Sequence, residues 1–92
     1  MSWNRVKIDK ADTMFSKYMR LKVGKCECCG KVDGLQVHHF ITRRKESTRY
    51  FENNIIVLCC GCHRKFHDSP HMQVEFMIKR LGQERYDALV IR

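Results

Sequence analysis

Apolar side chains recur at three- and four-residue steps early in the chain: Ala11, Met14, Phe15, Tyr18, Met19 and Leu21. That period predicts an amphipathic helix over about residues 9–23. Asp9 and Asp12 suit its N-terminal end, and Gly24 is a natural stop. The helix reads as a packing element whose Lys17, Arg20 and Lys22 are available to phosphates. From Leu35 to His39 the pattern changes to strict alternation, as in a short strand. Asn54 to Leu58 is β-branched and apolar and predicts a second strand. Residues 42–53 between them are polar and basic and read as a loop. A short helix should start near Cys60 or Gly61 and run through Phe66 or beyond. After Pro70, Val74, Met77, Ile78 and Leu81 return to helical spacing, Gly82 breaks the run, and residues 84–90 predict one more short helix. Helices therefore flank a mixed core of about residues 25–68, at about 9–23 and 71–91. Residues 1–92 form one small α+β domain.

A chain of 92 residues has a marginal core, and domains of this size often add a metal, disulfides or a partner. Its first residues, MSWNRVKIDK, carry charge throughout and no apolar core of a signal peptide. The longest apolar run, Ile55 to Cys60, is far short of the roughly 20 residues that span a bilayer. The expected location is a reducing cytoplasm. There, paired Cys-x-x-Cys units read as zinc ligands, not as disulfides.

Cys26-x-x-Cys29 and Cys59-x-x-Cys62 are two matched halves of a four-cysteine site. Two intervening residues let the chain turn so that both thiolates face one ion, and two such turns complete a tetrahedron. Cys28 and Cys60 are left over and read as packing residues. The 29 residues between the halves exceed what a simple zinc ribbon needs, and that insert holds His38 and His39.

Charge changes the picture next. Eighteen Lys and Arg against ten Asp and Glu give +8. Such an excess draws polyanions, with nucleic acid first. No broad basic amphipathic helix argues for a membrane surface.

Five positions then fall into relation: His38, His39, Asn54, His63 and His67. Residues four apart share a helix face, so His63 and His67 can present imidazoles to one ion. His38 and His39 are strand neighbours and should point to opposite sides. One can join a metal while the other does proton chemistry. The run His63-Arg64-Lys65-Phe66-His67 has the spacing of a metalloprotease helix, but Arg64 stands where the catalytic Glu is required, which excludes that reading. His71 reads as a surface or packing residue.

The order LQVHHF, then NNIIVLCCGCHRKFH, bracketed by two Cys-x-x-Cys pairs, resembles the HNH endonuclease family, whose core is the ββα-metal motif of a two-stranded hairpin plus helix. The intervals fit over residues 26–67: fifteen residues from His39 to Asn54 and nine more to His63. The helix segment MFSKYMRL and the run Ser47 to Phe51 look like phage recombination-type members. The resemblance implies His39 as general base and His38, His63 and His67 as ligands of a catalytic divalent ion. Asn54 would hold the loop and orient His39. The structural ion at Cys26, Cys29, Cys59 and Cys62 would be Zn²⁺. The catalytic ion stays open among Mg²⁺, Mn²⁺, Ni²⁺ and Zn²⁺.

The implied partner is DNA. Arg43, Arg44, Lys45 and Arg49 in the loop, with Arg64 and Lys65 on the metal helix, are the expected phosphate contacts. Nothing resembles a base-reading module, so sequence preference should be weak. A homodimer, or a larger phage recombination complex in a bacterial host cell, is compatible with this reading. The competing reading is a zinc-stapled nucleic-acid-binding module with idle histidines, or a subunit that cleaves only with a partner. The set His39, Asn54 and His63 argues for the enzyme, because a module that only binds does not need it.

Overall fold

The computed structural model describes residues 10–42 and 44–92. Helix α1 spans Lys10–Val23, strand β1 Leu35–His39, a four-residue helix α2 Glu46–Arg49, a 3-10 turn Glu52–Asn54, and strand β2 Ile55–Cys59. Helices α3 (Cys60–Asp68), α4 (Pro70–Leu81) and α5 (Gln83–Ile91) follow. Each of the expected helices and both strands is present among the described residues. The second strand begins one residue later than its pattern suggested, because Asn54 closes the 3-10 turn.

The strands form one antiparallel pair with Leu35 opposite Cys59, Val37 opposite Val57 and His39 opposite Ile55. β2 is buried along its whole length. Successive side chains of a strand point to opposite faces, and both faces of β2 are covered. Ile55 and Val57 pack with Met19 of α1, while Ile56 and Leu58 pack with Phe66, Met77 and Leu89 of α3, α4 and α5. That is why β2 reads as a continuous apolar run. Each such side chain, fully buried, contributes about 1.5–3 kcal/mol.

Helix α1 buries a narrower stripe than its composition suggests. Phe15, Met19 and Val23, four residues apart, pack toward the sheet, whereas Met14, Tyr18 and Leu21 remain exposed. A two-stranded sheet is too narrow to cover more of the helix. Asp12, expected as a simple N-terminal charge, is buried instead and carries a two-pronged ion pair with Arg49 of α2, the Arg49 Nε donating to Asp12 Oδ1 at 2.9 Å. This bond crosses 37 positions of chain and ties α1 to the loop between the strands.

The far edge of β2 is also closed. Glu27, inside the first cysteine knuckle, donates its backbone N–H to the Val57 carbonyl at 2.8 Å, and its carboxylate accepts from the Val57 N–H at 2.6 Å. Arg80 of α4 binds Glu27 at 2.9 Å and donates to the carbonyls of Ile55 and Asn53 at 2.7 and 2.8 Å. The C-terminal helices thus grip the chain on both sides of Asn54. Ser69 caps α4 and Pro70 opens it. Gly82, at φ 87°, makes the bend into α5 that a side chain would strain. No helix among the described residues is long and apolar enough to cross a membrane.

Candidate active site and metal centre

The two cysteine pairs meet as their spacing requires. The sulfurs of Cys26, Cys29, Cys59 and Cys62 all lie within 4.8 Å of one another. Gly30, at φ 82°, turns the first knuckle, with its N–H donating to the Cys26 carbonyl at 2.9 Å. Sulfurs placed tetrahedrally at a zinc bond length of about 2.3 Å stand about 3.8 Å apart. The Cys29 and Cys59 sulfurs are 3.7 Å apart, so the donor set fits such an ion. Burial raises the Cys26 thiol, but backbone N–H groups of Cys29, Cys59 and Cys28 outweigh it and bring it down to about 6. Burial and the sulfurs around it push Cys62 up. A bound cation would hold all four as thiolates. Cys28 and Cys60 are exposed and stand outside the four.

Strand alternation divides the two neighbouring histidines. His38 is paired with Ile56, on the sheet face that packs against α3 and α4. There its ring meets that of His63 on α3, edge to face, with centroids 5.1 Å apart. Burial lowers the His38 pKa below the ordinary imidazole value, against the raising effect of its bond to Gln73. Burial also lowers His63, helped by the nearby His38 and His67. Both effects favour neutral imidazoles, the form that binds metal. Neutral imidazole is a donor that divalent transition ions accept, and the two rings stand side by side. His67 lies one turn beyond His63 but is turned to solvent beside Asp68. Among the described residues, the cysteine group is the cluster of three or more ligands that lies close enough to hold an ion.

His39, paired with Ile55, faces the α1 side. Its Nε2 is 3.0 Å from the Arg49 carbonyl oxygen. A carbonyl only accepts, so Nε2 carries the proton and Nδ1 is the basic nitrogen. Arg49, expected among the phosphate contacts, is committed elsewhere: its guanidinium holds Asp12 and its carbonyl orients His39.

Asn54 is fully buried, and its amide is spent on backbone. Oδ1 accepts from the Ile41 N–H at 2.7 Å, while Nδ2 donates to the carbonyls of Ile41 and Thr48 at 2.9 and 3.1 Å. With all three bonds engaged it reaches neither a metal nor a substrate. It closes the loop between the strands and so places Arg49 beside His39. Asn54→Ala should leave the N–H and carbonyl of Ile41 without that partner, at about 1–3 kcal/mol each. The expected cost is about 3 kcal/mol or more, read as a fall of more than about 10 °C in Tm. An unchanged Tm would mean that the loop is held by something else.

A cleft of about 490 Å³ brings His38, His39 and His63 together with Asp12, Thr13, Ser16 and Arg20 of α1. α1 therefore supplies the wall facing the histidines, with the exposed Arg20 on it. Arg44, Arg64 and Lys65 are exposed and Lys45 half-buried. Arg43 lies outside the described residues. Two contributors carried no sequence signal: Gln36 Oε1 stands against Nδ1 of His63, and Gln73 Oε1 against Nε2 of His38 at 2.9 Å. A glutamine on an amphipathic segment looks like any solvated residue until the fold brings it to a histidine.

Residues 26–69 match the model of a family described as HNH endonuclease. No curated protein and no solved structure matches the chain significantly.

Proposed function

From a chain whose residues 26–69 match the HNH endonuclease family, we propose an enzyme that hydrolyses DNA phosphodiester bonds with the help of a divalent metal ion. The observation that carries this reading is the state of His39. Its proton is held on Nε2 by the Arg49 carbonyl, which leaves Nδ1 basic beside a cleft that also holds His38 and His63. An imidazole so oriented is suited to general-base catalysis.

His39 takes the proton of a water molecule as the water oxygen attacks phosphorus and the bond to the 3′ oxygen breaks. The 3′ oxygen leaves as an alkoxide and takes a proton from solvent water, so the products carry 5′-phosphate and 3′-hydroxyl ends. His38 and His63 hold the ion, with His67 available as a third ligand. When bound, that ion polarises the phosphate and stabilises charge on the leaving oxygen. Arg20, Thr13 and Ser16 on the α1 wall offer one cation and two hydroxyls to phosphate oxygens. Arg44, Lys45, Arg64 and Lys65 add affinity independent of sequence, which weakens steeply as salt rises. Zn²⁺ at Cys26, Cys29, Cys59 and Cys62 holds the scaffold.

The test is incubation of supercoiled plasmid with the purified protein and Mg²⁺, Mn²⁺ or Ni²⁺. Open circles should form with at least one ion and disappear when a chelator removes it. Salt-sensitive plasmid binding without nicking under any ion would overturn the enzyme in favour of a nucleic-acid-binding module.

A further inference from the structure

A ligating imidazole offers one nitrogen to its ion, and the hydrogen bond made by the other nitrogen decides which one. For His38 that bond is made by Gln73, on α4 and beyond the 26–69 segment that matches the family. Gln73 is half-buried. Its amide nitrogen donates to the carbonyl of Phe66 on α3. Because a carbonyl only accepts, this bond forbids the flipped amide and leaves Oε1 facing His38 Nε2 at 2.9 Å. An amide oxygen also only accepts, so the proton must sit on the His38 nitrogen. The backbone of Gln73 is set as well, since its N–H donates to the carbonyl of Ser69, the cap of α4.

We propose that Gln73 is a positioning residue of the metal site: by holding His38 as its Nε2–H tautomer, it makes Nδ1 the atom that His38 offers to a divalent ion. This rests on His38 being a metal ligand, as proposed above. The same side chain spans from β1 to the end of α3, so it couples the placement of His38 to the helix that carries His63. A glutamine orients the ring without adding a negative charge, unlike the carboxylate that often serves such histidines.

Long-range ¹H–¹⁵N correlation spectra of the full chain, with its four-cysteine site loaded, read imidazole tautomers directly. His38 should show a protonated Nε2 and a lone-pair Nδ1 before any further ion is added. Zn²⁺ added beyond the first equivalent should move the His38 Nδ1 resonance. Gln73→Leu should mix the tautomers and weaken binding of this second Zn²⁺ by about 10–100-fold, read by calorimetry. Gln73→Glu keeps an acceptor and should keep the tautomer. If the leucine variant does not fold, the wild-type tautomer and the glutamate variant still decide the matter. An Nδ1–H tautomer in the wild type, or a folded leucine variant with unchanged tautomer and affinity, overturns the role of Gln73. Zn²⁺ that moves neither His38 nor His63 overturns the metal-site reading itself. The two failures are distinct, because the tautomer is read without the ion.

Discussion

Replacing His39 with Ala should lower the rate of plasmid nicking by about 10²–10⁴-fold, the range a positioned general base contributes. Each tenfold step corresponds to about 1.4 kcal/mol of transition-state stabilisation. The loss should fall on kcat and spare KM, because the imidazole meets the attacking water and not the phosphates that anchor DNA. The fold should survive. His39 lies on the half-buried β1 and its ring bonds a backbone carbonyl, whereas the core rests on β2 and the C-terminal helices. Zinc content and Tm measured beside the rate will separate lost chemistry from lost structure. His71→Ala, an exposed site far from this role, is the matched control and should nick at the wild-type rate. Equal activity in the His39 variant would remove it as the base.

The second large effect is expected at the cysteine site. Cys62→Ser should abolish tight zinc binding and, with it, cooperative thermal unfolding. Structural zinc in small domains contributes about 10–16 kcal/mol of apparent binding free energy. Net domain stability is about 5–15 kcal/mol, so a chain of 92 residues cannot absorb the loss. Cys62 is buried in the main cluster, one residue before His63 on α3. Losing the ion should therefore loosen the helix that presents His63, and nicking should be lost together with the fold. Cys28→Ser and Cys60→Ser should each retain one zinc and the wild-type Tm, because both thiols are exposed and outside the group of four. A Cys62→Ser protein that still binds zinc and melts normally would mean that a different set of thiols holds the ion.

The same geometry explains how a site so close to solvent keeps its shape. One end of the scaffold is stapled where the cysteine knuckles join. Glu27 carries that rigidity onto the edge of β2, and Arg80 carries it to the carbonyls flanking Asn54. Asn54 passes it to the loop, and the loop to Arg49 and His39. Asp12 anchors the other side through Arg49, so the α1 wall of the cleft and His39 are placed by one ion pair.

What could be read from the sequence alone were the features written in short intervals. Cys-x-x-Cys needs only a local turn to aim two sulfurs at one point, and the four-residue step from His63 to His67 follows from helix pitch. Alternation assigned His38 and His39 to opposite faces before either partner was known. The β-branched apolar run after Asn54 marked β2 as a strand. Other features were decided by tertiary structure. The short helix α2 has four residues and no periodic apolar signal, and it stands because Thr48 and Arg49 are held by Asn54 and Asp12. The ion pair of Arg49 with Asp12 joins positions 37 apart in the chain. Gln73 acquires its meaning from His38, 35 positions away. Spacing within a helix or strand fixes direction, because the backbone repeats. Which polar side chains meet across elements depends on how those elements pack, and no local pattern records it.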